Sequence, residues 1–260
     1  MRILRALVSV AGFGLLLAGI AWTHRWMGGD LREFVQPEAI AVVVGGTLAA
    51  LFISFPRRSR SGALAAALNL ARHRGVPVDT LVPVFIALAY TARRQGWAAI
   101  EAEIARLQDP FVARALSLSV SGLPAEVVRE TLDVEARIAA EREEEQAQVF
   151  EAAARSAPTL GVLGGLLGLM RVIEQTAWSA AAAQGVAAAL VAAVYGVGLA
   201  SLVFQPLAAR LRARARVNAQ RRALTIDGVL ALRDGAAPSV VEERLAGYLQ
   251  RRRTDLASVA

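Results

Sequence analysis

The chain of 260 residues is 55% hydrophobic and 20% charged, with a net charge of +7 and no cysteine, and its mean hydropathy is +0.44. That is too apolar for an ordinary soluble domain and too charged for a chain wholly within lipid, so membrane spans joined to a soluble part are expected. The missing cysteines exclude disulfides and thiolate metal sites, and the missing lysines exclude a Walker A phosphate loop.

Taken in order, the first apolar segment is Arg5 to Thr23, "RALVSVAGFGLLLAGIAWT". With Arg2 and Arg5 before it, this run also fits a cleaved signal peptide. A retained span gives an even topology with the three that follow. The second is Glu38 to Phe55, "EAIAVVVGGTLAALFISF", and the fourth is Gln184 to Pro206, "QGVAAALVAAVYGVGLASLVFQP". Crossing a hydrocarbon core takes about 20 apolar residues, which the first and fourth segments supply. The third, Ala157 to Met170, is shorter and is expected to extend past Arg171 and Glu174, shielded from lipid by its neighbours. Arginines flank these segments on one side: Arg2 and Arg5, then Arg57, Arg58 and Arg60, then Arg210, Arg212, Arg214 and Arg216. By the positive-inside rule both termini and the long central loop are cytoplasmic. The expected division is therefore 1–55 for spans one and two, 56–156 for a cytoplasmic helical domain, 157–206 for spans three and four, and 207–260 for a cytoplasmic helical tail. The fold class is all-α. The positive charge reads as membrane-flanking arginine, and nucleic acid is not expected as a partner.

Within the loop, "TLVPVFIALAYTARRQGWAAIEAEIARL" (80–107) opens on an apolar run too short to span. It is expected to be a packed helix that turns amphipathic from Ala92, with Ile100, Ile104 and Leu107 on one face. Asp109 and Pro110 end it, and a short helix follows to the turn at Gly122 and Pro124. Ala125 to Arg155 reads as one long helix leading into the third span. Its acidic run "EREEEQ" (141–146) reads as a solvated face. A basic helix from Arg210 to Arg222 opens the tail, and Ser239 is a candidate cap for the last helix.

Enzymatic chemistry has little to stand on. His24 and His73 stand apart from any carboxylate cluster, which gives neither a triad nor a metal site, and no cofactor is expected. "GVLGGLLG" (161–168) lacks the preceding strand of a dinucleotide fingerprint. The spans also lack a central ionisable group. Glu38, Arg171 and Glu174 lie at span ends, whereas an intramembrane carboxylate would be the default ion site. A conducting role thus requires the carboxylate from a partner.

"APTLGVLGGLLGLM" (157–170) places Pro158, Gly161, Gly165 and Gly168 on one helical face, with Gly164 beside it. Such small-xxx-small faces let helix backbones approach closely in lipid. Two readings are open: packing against another span of the same chain, or a smooth wall facing a partner helix, and the second is the expectation. Pro158 and Pro206 lie at the cytoplasmic ends of spans three and four, either as hinges or as helix boundaries.

The order "VVVGGTLAALFISFP", "ARRQGWAAIE", "DPFVARALSL", "APTLGVLGGLLGLM", "VYGVGLASLVFQPLAARL" and "DGVLALRDGAAPSVVEERLAGYL" resembles the A subunit of the bacterial flagellar stator. That is the MotA/PomA group of the wider MotA/TolQ/ExbB superfamily. The resemblance implies a homo-oligomer, a ring of five copies in the inner membrane, around two copies of a B subunit. The B subunit brings one span with an essential Asp and a peptidoglycan-binding domain. Ion flow at that Asp turns the ring, which pushes a rotor switch-ring protein. On this resemblance Arg93 and Glu101 match the rotor-facing pair, and Pro158 and Pro206 match the coupling prolines. Thr159, Gly161, Gly164, Gly165, Gly168, Ala193 and Tyr195 are expected to line the pore or the partner helix. Gly165 stands where sodium-type members have Thr, and Ala193 where many members have Thr. Losing both hydroxyls points to protons over sodium. Ser121 stands where "DG" is usual and Ser201 where Asn is usual. The rivals from other classes are a TolQ/ExbB-like energiser of outer-membrane processes and a membrane scaffold without ion flux.

Overall fold

The structure is a computed structural model that describes residues 36–72, 77–107, 109–173 and 180–257, with isolated positions between 19 and 28. Most of the first span, His24, His73 and the connector residues 174–179 lie outside the described residues. Among the described residues nine helices follow one another from Pro37 on: α1 (Pro37–Ser54), α2 (Arg57–Arg72), α3 (Leu81–Gln95), α4 (Trp97–Ile104), α5 (Pro110–Val120), α6 (Ala125–Ile173), α7 (Ala180–Gly198), α8 (Gln205–Arg233) and α9 (Pro238–Ala257). No strand occurs among the described residues, as the all-α reading requires. Two compact units are present, one of residues 1–64 and 146–209 and one of residues 65–145 and 210–260.

The first unit holds the apolar helices. α1 and the helical run Gly185–Arg233 are long and apolar enough to cross a membrane. Only 17% of the apolar window of α1 and 29% of that of Gly185–Arg233 are buried within the chain. A core helix of a soluble protein would be mostly buried, so these faces need lipid or a partner. The third span is the C-terminal part of the 49-residue α6, in which Pro158 sits internally. Both α1 and the fourth span contain a π turn, Ala41–Gly45 and Leu199–Phe204. Proline explains the second. A straight α-helix would drive the carbonyl four residues earlier into the Pro206 ring, and that residue, Leu202, lies in the widened turn. Pro206 thus lies within the helical run Gly185–Arg233, in the first turn of α8.

The second unit is a helical module around Phe85, Ile100, Leu116, Leu132, Leu224 and Leu245, all fully buried. α3 buries Leu81, Val82, Phe85, Leu88 and Ala89, the face expected from its apolar run. The helix expected over 80–107 is broken in two. Gly96 has φ +78, a left-handed conformation that glycine adopts without steric cost, and it separates α3 from α4. Asp109 both ends one segment and starts the next: its carboxylate accepts from the amides of Phe111 at 2.9 Å and Val112 at 3.3 Å, an N-cap with Pro110 behind it. α9 begins at Pro238, with the Val241 amide bonded to the Ala237 carbonyl. Proline at the first helical position fixes that start, so Ser239 lies inside the helix and is not its cap.

The acidic run is paired as well as solvated. Glu143 accepts from Arg222 at 2.5 Å and from Asn218 at 3.1 Å, and Glu144 accepts from Arg212 at 2.9 Å. Arg221 pairs with Asp109. Arg212, Arg221 and Arg222 thus balance internal carboxylates, and the basic helix is less a membrane flank than its composition suggested.

Candidate functional site

In the first unit α6 runs against α7 at backbone distance. A Cβ added at Gly161 would lie 2.8 Å from the Ala192 carbonyl oxygen, 3.0 Å from Gly196 Cα and 3.3 Å from Ala193 Cα. One added at Gly165 would lie 2.9 Å from the Ala189 oxygen, and one at Gly168 would lie 3.3 Å from Ala189 Cβ. From the other side, Gly196 faces Ala157 and Pro158. Contacts this short to backbone leave no room for any side chain, so the small-xxx-small face is taken up by a helix of the same chain. Gly164 sits where three helices meet: its added Cβ would be 3.1 Å from Val42 of α1 and 3.4 Å from Ala192 Cβ.

The face that α6 leaves open is not the glycine face. It consists of Val162, Leu163, Leu166, Leu167 and Met170, all exposed within the single chain. Spacing of three and four residues puts them together, away from α7. Of the open wall expected at Gly161, Gly165 and Gly168, the structure therefore shows the first alternative, intrachain packing. Thr159 is exposed, and its hydroxyl donates to the Arg155 carbonyl at 3.5 Å. Ala193 and Tyr195, on α7, are partly buried.

The two prolines differ in setting. Pro158 is inside α6, where it removes one amide donor from the ladder. Its Cα packs on Gly196, at 3.1 Å from the place of that residue's missing Cβ. Pro206 is exposed in the first turn of α8, directly after the π turn. In the second unit, Arg93 closes α3 and Glu101 lies on α4 across the Gly96 turn. Both are exposed, without an ion-pair partner among the described residues.

Comparison with known proteins places this arrangement. The family model of the MotA/TolQ/ExbB proton channel family matches residues 103–223. Motility protein A of Bacillus subtilis is 30% identical over 239 residues, which cover 91% of this chain and 88% of that protein.

The chain belongs to the MotA/TolQ/ExbB proton channel family.

Its similarity lies in the motility protein A group of that family. Chemotaxis protein PomA of Vibrio alginolyticus is 29% identical over 92% of each chain. Among solved structures, the flagellar MotAB stator complex from Bacillus subtilis aligns with a TM-score of 0.80 and 30% identity, covering 94% of this chain and 97% of that one. The family is one of channels rather than of a recognised enzyme class. Among the described residues no group of three or more His, Asp or Glu side chains is placed to hold a metal ion.

Reasoning from sequence missed the π turns and the cytoplasmic ion-pair cluster. Pro206 was the available signal for the π turn at 199–204. The turn at 41–45 has as local markers the Gly45–Gly46 pair that ends it and Thr47, a buried hydroxyl donating to the Val43 carbonyl at 2.6 Å.

Proposed function

We propose that the chain is the ion-driven, torque-generating A subunit of a flagellar stator in the bacterial inner membrane, with both termini cytoplasmic. The observation that carries this is the 30% identity to a chain of the Bacillus subtilis MotAB stator complex, over nearly the full length of both. Chemistry agrees with it. Residues 39–54, 157–170 and 185–209 contain no ionisable Asp, Glu, Lys or Arg, so the group that binds the ion comes from a B subunit whose single span carries an Asp. Copies of the chain, five by the family pattern, enclose that span.

In this reading the Gly161, Gly165 and Gly168 contacts hold α6 and α7 together as one stave of the ring. Thr159, Ala193 and Tyr195 lie toward the partner helix. Two proline sites give each stave a point of bending: Pro158 by its missing donor, and Pro206 through the widened turn before it. Protonation of the partner Asp would change the helix packing around these points and move the cytoplasmic unit. Arg93 and Glu101, exposed near one turn, are the charges that would engage the rotor. With Gly165 and Ala193 lacking hydroxyls, the path offers few oxygen ligands for a dehydrated sodium ion, which favours protons.

The test is complementation. Chain and B subunit are expressed together in a host lacking its own stators, and swimming speed is followed while the proton gradient and the sodium concentration are varied separately. Speed should follow the proton gradient and ignore sodium, and Asp→Asn in the B-subunit span should stop it. Sodium-dependent swimming would overturn the ion assignment. Absence of rotation with an assembled complex would overturn the stator role.

A further inference from the structure

A groove of about 700 Å³ opens on the first unit where α1 meets the start of α2. Its walls are apolar, with Leu48 and Phe52 from α1, Phe150 from α6 and Leu199 from the fourth-span π turn, and its end carries Arg57 and Arg60. The volume falls within the range of about 300–1,000 Å³ typical of small-molecule sites. Leu48 is 49% exposed and Phe52 63% exposed. These surfaces are apolar, and no other described residue covers them.

The charged end has a definite character. α2 starts with Arg57, Arg58 and Arg60 and has no acidic residue in its first turn. The positive end of a helix dipole adds to that charge. Arg60 is held in place, its guanidinium 3.8 Å above the centre of the Phe52 ring. One of its terminal nitrogens is buried without a hydrogen-bond partner. An apolar trough ending in the Arg60 guanidinium held against Phe52 and the exposed Arg57, neither in an ion pair among the described residues, at the cytoplasmic end of a span is complementary to an anionic lipid.

We propose that this groove binds an anionic phospholipid of the cytoplasmic leaflet, with its phosphate on Arg57 and Arg60 and an acyl chain along Leu48 and Phe150. A second copy of the chain fits less well. The span interiors 39–54, 157–173 and 185–209 hold no Asp or Glu, and Glu151, the carboxylate next to Phe150 of the groove wall, already has a partner within its own chain, so a neighbouring copy would bring little free counter-charge to the arginines, at a high desolvation cost. A lipid brings the phosphate with the chain. Bound there, it would tie α2 to the end of α1 and make stability depend on the anionic lipid content of the membrane.

The experiment is native mass spectrometry of the full chain in detergent, titrated in parallel with phosphatidylglycerol and phosphatidylcholine. The two arginines near the surface predict that phosphatidylglycerol binds about 30-fold more tightly. Arg57→Gln with Arg60→Gln should erase that preference. Arg57→Lys with Arg60→Lys, which keeps the charge, should retain most of it. Leu48→Trp, which fills the trough, should reduce retention of both lipids while leaving helix content unchanged by circular dichroism. Equal retention of the two lipids by the wild type would overturn the proposal, as would insensitivity to Leu48→Trp. The chain has no native cysteine, so Leu48→Cys provides a further check: efficient disulfide linkage of two copies through that position would make the groove a subunit interface and overturn the lipid reading. None of these outcomes depends on torque generation, so the stator role stands or falls separately.

Discussion

Gly196→Ala adds one methyl group where the α6–α7 contact has no space. The new Cβ would lie 2.5 Å from the Ala157 carbonyl oxygen, 3.0 Å from Gly161 Cα and 3.1 Å from Pro158 Cα. All three are backbone atoms, so no rotamer change relieves the overlap. Ordinary contact begins near about 3.5 Å, and the helices must part by roughly 1 Å at this point to restore it. Overpacking of this kind costs about 1–3 kcal/mol. At about 2–4 °C per kcal/mol for a chain of this size, the melting temperature should fall by roughly 2–12 °C. Gly198→Ala is the matched control. It lies on the same element, and its added Cβ meets nothing within 4 Å. There the same methyl should be neutral, or stabilise by up to about 1 kcal/mol through helix propensity. Both variants and the wild type can be melted as full-length chains in detergent and followed by fluorescence-detected gel filtration. If Gly196→Ala melts together with Gly198→Ala, the close approach of α6 and α7 does not determine the stability of the membrane unit.

Three further substitutions probe the cytoplasmic unit. A Cβ at Gly228 would lie 2.8 Å from the fully buried Phe85 ring, so Gly228→Ala should destabilise by about 1–3 kcal/mol. Adding Phe85→Leu should recover part of the loss in the same thermal melt. Arg222→Ala leaves Glu143 without its main partner in an ion pair whose side chains are only 16% and 22% exposed. The loss should be near 3 kcal/mol, about the lower end for breaking a buried pair, and Glu143→Gln with Arg222→Ala should lose less than Arg222→Ala alone, measured by chemical denaturation. Arg93→Glu or Glu101→Lys should leave the melting temperature within about 0.5 kcal/mol of the wild type, as expected for exposed sites, while lowering swimming speed under load. Unchanged speed in the double reversal would remove these residues from the rotor contact.

The apolar runs at 38–55 and 184–206 and the buried face of α3 were legible because hydrophobic length and period depend only on local sequence. The glycine face was legible as a demand for close approach, but not for its occupant. Gly161 and Gly196 lie 35 positions apart, and nothing local says that each is small because of the other. The break at Gly96 was missed because the apolar period carries on through it to Ile100 and Ile104, and a single glycine within a strong pattern does not announce a positive φ. The acidic run at 143–144 was read as solvated for a similar reason. Its partners, Arg212, Asn218 and Arg222, come from a helix about 70 residues later, and composition describes charge without saying what faces it.

The most direct measurement is the composition of the assembled complex. The chain is co-expressed with a B subunit bearing a single Asp-containing span, purified through a tag on the B subunit, and its mass measured in the gas phase. A stable assembly of five copies of the chain around two B subunits is the predicted result. If the chain fails to co-purify, or purifies as an oligomer that excludes the Asp-bearing span, it has no carboxylate for ion flow and is not a stator subunit.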